Sequence, residues 1–124
     1  MKLLMLALAG AVGTLARYGM STAVQRWAGH GFPWGTFAVN ALGCLMFGLL
    51  WGLFEARQAA LGPWRAVVLV GFLGSFTTFS SFAHDSGALL RGGDLPAALL
   101  NIAGQNILGL LALFAGLALA RWIP

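Results

Sequence analysis

The sequence predicts an all-α integral membrane protein of four transmembrane helices, the third with a central break. Three observations predict it. Of 124 residues, 60% are hydrophobic and only 8% charged, whereas charged side chains make up about a quarter of an ordinary soluble domain. The charge-poor stretches form four separate runs, each close to the about 20 residues that cross a ~30 Å hydrocarbon core. Trp27, Trp34, Trp51, Trp64 and Trp122 lie at or near the ends of those runs, as an interfacial aromatic belt requires.

The chain reads as one domain over residues 1–124, placed in the cell (inner or plasma) membrane as a multi-pass protein. The first span, residues 3–24, is interrupted only by Arg17. The second, residues 34–54, carries no charge. The third covers residues 66–83 and is the shortest, and the fourth covers residues 96–120. The connections carry turn chemistry: Gly29, Gly31 and Pro33 in the first, and Gly62 and Pro63 in a second running from Glu55 to Arg65. The third holds Gly92, Gly93 and Asp94 before Pro96, which suits the first turn of a helix. The opening residues, Met1 to Gly13, resemble a secretory signal, but three further apolar runs favour a retained first helix.

The net charge of +4 comes from seven scattered basic residues, with no clustered footprint for nucleic acid. Lys2, Arg57, Arg65 and Arg121 would share one side of the membrane, and Arg26 and Arg91 the other. So weak an asymmetry permits insertion in both orientations. Cys44 inside an apolar run reads as a packing residue. Gly10, Gly13, Gly48, Gly52, Gly104 and Gly109 read as places where helix backbones approach.

Inside lipid, a polar side chain is informative because it must be paired or face a wet cavity. Arg17 lies ~21 Å along the first helix; it either snorkels to the interface or sets a positive charge at a pore mouth. Asn40, about 9 Å into the second helix, is either an interhelical clasp or an N–H donor to a dehydrated anion. The stretch from Gly71 to Phe82 mixes Gly74, Ser75, Thr77, Thr78, Ser80 and Ser81 with Phe76, Phe79 and Phe82. Its hydroxyls and Gly74 weaken the helix, and unwound backbone at membrane depth is tolerated only where it is buried or lines a cavity. Phe76, Phe79 and Phe82, three apart, are expected broadly along one face. Asn101 and Gln105 share a face of the fourth helix, as a hydrogen-bonded seam or a pore wall. The absence of Asp or Glu from the expected spans argues against a proton-coupled relay. Ser80 and His84 could be imagined as nucleophile and base, but no third group orients the imidazole. The residues alone therefore favour an uncharged path for an anion, without naming it.

Three stretches, in order along the chain, resemble the signatures of the Fluc/CrcB family of small fluoride ion channels: Gly10 to Tyr18, Gly35 to Gly43, and Gly71 to Phe82 with its Thr77-Thr78-Phe79-Ser80-Ser81-Phe82 core. The resemblance implies no enzyme. It implies a dual-topology antiparallel homodimer in the lipid bilayer, with two pores at the subunit interface. Phe79 and Phe82 match the aromatic pair that turns ring edges to the anion, and an aromatic edge carries partial positive charge. Asn40 matches an anion-facing asparagine, and Thr78 and Ser81 join a polar track. Arg17 matches a vestibule arginine, and Gly74 and Thr77 match positions whose carbonyls hold a structural Na+ at the dimer centre. The implied role is passive fluoride export and hence fluoride resistance. Ser81 stands where Thr is usual and Asp85 where Glu is frequent. Asn101 and Gln105, which complete the expected path, stand where many relatives carry an aromatic residue and a serine. Two other readings are a small four-helix multidrug-type transporter, which would need a carboxylate in its first helix, and a non-conducting assembly subunit.

Overall fold

Uninterrupted apolar composition, punctuated by glycine, proline and a single aspartate cap, accounts for the helices of the computed structural model. It describes residues 1–57 and 62–123 with their side chains and residues 58–61 by their backbone. Helix α1 spans Lys2–Ala28 and stops at Gly29, whose φ of 92° takes the chain out of the helical region. Helix α2 spans Trp34–Ala56, directly after Pro33. Helix α3, Gln58–Ala66, continues through a π-helical stretch, Val67–Leu73, into the single turn α4, Gly74–Phe76. Thr77 and Thr78 are then extended (φ −79°, ψ 159° and φ −151°, ψ 109°), and helix α5 resumes over Phe79–Arg91. Helix α6, Leu95–Ala120, starts at Asp94, whose side chain accepts the Ala97 N–H at 3.1 Å, with Pro96 in its first turn.

Four helical stretches are long and apolar enough to cross a membrane: Lys2–Ala28, Trp34–Ala56, Gly62–Arg91 and Leu95–Ala120. Two expectations need correction. The second connection, expected as a loop from Glu55 to Arg65, is mostly helix α3, with Pro63 inside it. Helix propagation outward from the apolar third run overrides the turn signal of Gly62 and Pro63. The same third run extends to Arg91, so Asp85, expected beyond the end of a span, lies within a membrane-length helix.

Lipid-facing composition shows in the exposure pattern. Leu3, Leu15, Trp27, Phe114 and Trp122 are 81%, 70%, 90%, 64% and 85% exposed, while the core is small: Val39, Phe54, Leu69, Leu73 and Phe76. So much exposed apolar surface suits a hydrocarbon solvent and not water. Helix association in lipid rests on close van der Waals packing, and glycines provide it here. The most extensive pairing is α2 on α6. There, a Cβ at Gly48 would strike the Leu113 carbonyl, and one at Gly116 would strike the Leu45 carbonyl. Helix α1 lies on the π-helical stretch, where a Cβ at Gly13 would strike the Phe72 carbonyl and one at Gly71 would come within 3.1 Å of the Leu6 oxygen.

Phe76 does not share a face with Phe79 and Phe82 as the three-residue spacing suggests. It is 3% exposed in the core, while Phe79 is 79% exposed. The extended pair Thr77–Thr78 resets the helical phase between them.

Candidate functional site

Where a helix stops inside a membrane, its backbone groups need other partners. Here Asn40 of α2 supplies them: its Oδ1 accepts the Thr78 N–H at 2.9 Å and its Nδ2 donates to the Thr78 carbonyl at 3.0 Å. The second Nδ2 hydrogen goes to Gln105 Oε1 at 2.8 Å. Gln105 Nε2 donates to Asn101 Oδ1 at 2.9 Å, and Asn101 Nδ2 donates to Ser86 Oγ at 2.9 Å. The Ser86 hydroxyl ends on the Phe82 carbonyl at 2.8 Å. Every donor in this series points the same way, from the Thr78 amide through α2 and α6 back to α5. Such series polarise one another, so each bond is strengthened by the next. Asn101 is fully buried, and no buried side-chain nitrogen or oxygen lacks a partner among the described residues.

The hydroxyls at the interruption form a second group. Thr78 Oγ1 donates to Ser81 Oγ at 2.9 Å and accepts the Ser81 N–H at 3.2 Å, capping α5. Thr77 Oγ1 donates to the Leu73 carbonyl at 3.1 Å. Two backbone donors are thereby diverted. The Thr78 N–H goes to Asn40 instead of Gly74 O, and the Ser81 N–H to the Thr78 hydroxyl instead of Thr77 O. The carbonyls of Gly74 and Thr77 are left without the helical partners they would otherwise have.

Two concavities meet at Thr78. One, about 300 Å³, is lined by Asn40, Cys44, Thr77, Thr78, Phe79, Phe82, Gln105 and Asn106. No charged side chain lines it among the described residues. The Phe79 and Phe82 rings are 5.5 Å apart and inclined at 49°. The other, also about 300 Å³, is lined by Thr14, Arg17, Tyr18, Ser21, Thr36, Thr78 and Ser81. Arg17 is half-buried there and has no carboxylate partner among the described residues. The second cavity shares Ser21 and Thr36 with a third, about 590 Å³, which reaches His30, Arg26 and Asp85 at the α1–α2 connection. Polar lining thus continues from that end of the bundle to the interruption in the third span.

The ten residues expected for the path, its mouth and the Na+ site fall in or beside this region. Asn40, Thr78, Asn101 and Gln105 are joined directly, Thr78 and Ser81 by their hydroxyls. Phe79 and Phe82 line the same space as Asn40 and Gln105; Arg17 stands across Thr78 from them. Gly74 and Thr77 flank the turn before the break. Ser80 lies 3.3 Å from the Thr78 hydroxyl, whereas His84 sits against Asp85, so the imagined nucleophile and base do not meet.

Three participants were not visible beforehand. Ser86 closes the amide series. Thr36 donates to Asp85 Oδ2 at 2.7 Å, tying α2 to α5. Gln25 donates to the Gly29 and Phe32 carbonyls and accepts the Gly35 N–H at 3.0 Å, shaping the α1–α2 connection. Gln25 precedes Gly29 by four residues at a helix end, a spacing that could have suggested the first of these bonds.

Residues 4–117 match the family model described as CrcB-like protein, Camphor Resistance (CrcB). The chain is 53% identical over 122 residues to a Solidesulfovibrio magneticus protein named Fluoride-specific ion channel FluC, and the alignment covers 98% of both. It is 48% identical to the protein of that name from Nitrosococcus oceani, again over 98% of both. The Thermus thermophilus protein of the same name is 48% identical over 91% of this chain and 88% of its own length. A family match over nearly the whole chain, with relatives aligned end to end at this identity, leaves one assignment: the chain belongs to the CrcB-like family.

Proposed function

We propose that the protein is a fluoride ion channel of the cell membrane, acting by passive permeation and without covalent chemistry. The observation that carries this reading is the cavity beside the interruption of the third span. It is uncharged, lined by Phe79 and Phe82 and by amide and hydroxyl side chains, and adjoined by a cavity that Arg17 lines. Neutral N–H and O–H donors stabilise a partly dehydrated anion without trapping it, as a conducting site requires. The arginine raises the anion concentration at the mouth. The relatives' shared name agrees with this chemistry.

The working unit is an antiparallel homodimer. Supporting this, α5 leaves Phe79, Ser80 and His84 exposed in a single chain, and polar groups at membrane depth need a covering partner or water. The near-balanced distribution of Lys and Arg suits insertion both ways. The residues present also fit a structural Na+ at the centre of such a dimer. The carbonyls of Gly74 and Thr77, whose helical N–H partners are diverted, are hard oxygen donors of the kind that coordinate it. Fluoride enters cells as its neutral weak acid and ionises inside, so a passive anion path empties the cell of it and confers fluoride resistance.

A multidrug-type transporter is the less fitting reading. Asp85 does lie within a membrane-length helix, but in the third span and bonded to Thr36; the first span carries no carboxylate. Expression in a bacterium lacking its own fluoride exporter tests the reading. Growth restored in fluoride medium is expected, and no rescue by protein that reaches the membrane contradicts it.

A further inference from the structure

We propose that the groove between α2 and the first half of the third span holds an anionic phospholipid, its phosphate on the Arg65 guanidinium and an acyl chain along Phe47, Leu69 and Val70. This groove lies toward the other end of the bundle from the cavity at Arg26 and His30, and its occupant does not depend on which ion the protein passes. Arg65 lies over the face of Trp51, 3.9 Å from the ring centroid. Such stacking is favourable, and it leaves the guanidinium N–H donors, which lie in the plane of the group, directed outward around its rim. No carboxylate forms an ion pair with Arg65 among the described residues, Glu55 included. The fork is therefore held on an aromatic face and open to a bidentate anion, a geometry that phosphate suits.

Beside this pair the groove encloses about 370 Å³, and Phe47, Gly62, Ala66, Leu69 and Val70 complete its lining. A charged head over an apolar body is the pattern of a phospholipid and its chain. Depth agrees with it. Gly62 opens the third membrane-length stretch, so Arg65 lies ~4.5 Å inside it, with Val70 deeper. Phe47 is one turn deeper than Trp51 and stacks on it at 5.9 Å. Trp64, exposed beside Arg65, marks the interfacial level, and Val70 is 68% exposed, so the deep end of the groove opens outward. The face that needs a covering copy, with Phe79, Ser80 and His84, lies beyond Thr78, whereas the groove precedes the interruption. Charge selects the headgroup. Lys2 at the start of α1, Arg57 after α2 and Arg121 after α6 share this end of the bundle, where a Cβ at Gly52 would strike that of Ala120. A zwitterionic head would bring its own cation to this basic end; an anionic one would not.

Native mass spectrometry of the purified full chain tests this, with phosphatidylglycerol and phosphatidylcholine of identical chains added in equal amounts. Phosphatidylglycerol is expected on the protein about fivefold more often, the ratio that one basic side chain near an anionic headgroup supplies. Equal retention overturns the proposal. Arg65→Gln is expected to abolish the preference, and Arg121→Gln, with the same net charge, to keep most of it. A preference unchanged in Arg65→Gln, or lost equally in both variants, overturns the site. A fall in dimer mass in Arg65→Gln with the lipid preference intact assigns the groove to a second copy instead. Should Arg65→Gln not fold, Val70→Trp keeps the charge and fills the groove from an exposed position. Its phosphatidylglycerol retention is expected to fall, and unchanged retention overturns the proposal. Inorganic phosphate or glycerol 3-phosphate alone should raise the thermal midpoint far less than phosphatidylglycerol; an equal rise shows a site for free anions and overturns the lipid.

Discussion

Asn40 and Thr78 are joined by two hydrogen bonds of opposite sense, amide to carbonyl and amide to carbonyl, at 2.9 and 3.0 Å. The side chain of one helix thus completes the backbone of another where that helix stops. In water the exposed peptide groups would be solvated; in lipid this pairing lets extended backbone persist at depth.

Asn40→Ala should therefore weaken the fold as well as the flux. Stranding the Thr78 N–H and carbonyl costs about 1–3 kcal/mol per unsatisfied buried group, although water entering the cavity would reduce it. The expected result is a lower thermal midpoint in detergent. An unchanged midpoint would show that the pairing contributes nothing to stability.

Gly48 and Gly19 make a matched pair for the packing. A Cβ at Gly48 would meet the Leu113 carbonyl, while one at Gly19 would meet no neighbouring element within 4 Å. Gly48→Ala should destabilise by about 1–3 kcal/mol through overpacking, and Gly19→Ala should be neutral or gain up to about 1 kcal/mol from helix propensity. Equal effects in thermal unfolding would contradict the α2–α6 contact.

Phe79 is largely exposed in the single chain, so Phe79→Ile should leave the folded protein intact. Fluoride efflux should nevertheless fall at least tenfold, because an aliphatic side chain has no positive edge. Wild-type efflux from both Phe79→Ile and Phe82→Ile would move the path elsewhere.

Arg17→Gln should slow efflux severalfold at low ionic strength and less at high. A charge at a mouth acts over a Debye length of about 30 Å at 0.01 M salt but about 3 Å at 1 M. A deficit independent of salt would point to a structural role for the arginine.

The apolar runs made four spans legible in the sequence, because membrane helices advertise themselves by length and composition alone. The polar residues were equally conspicuous: Asn40, Asn101 and Gln105 stand out in lipid-compatible runs, and their four-residue spacing anticipates the Gln105–Asn101 bond. What stayed hidden depends on phase and reach. Phe76 keeps its spacing from Phe79 but lies on the other side of an extended pair. Asp85 looked like a loop residue because charge marks the end of an apolar run, yet Thr36 stabilises it inside a longer helix. Ser86 and Gln25 act on groups brought near by tertiary packing, which no local pattern encodes.

Fluoride conduction by this chain is read in efflux from liposomes holding the purified protein. With a potassium ionophore balancing charge, rapid loss of fluoride and retention of chloride are expected. Retention of fluoride by vesicles carrying folded protein would contradict it.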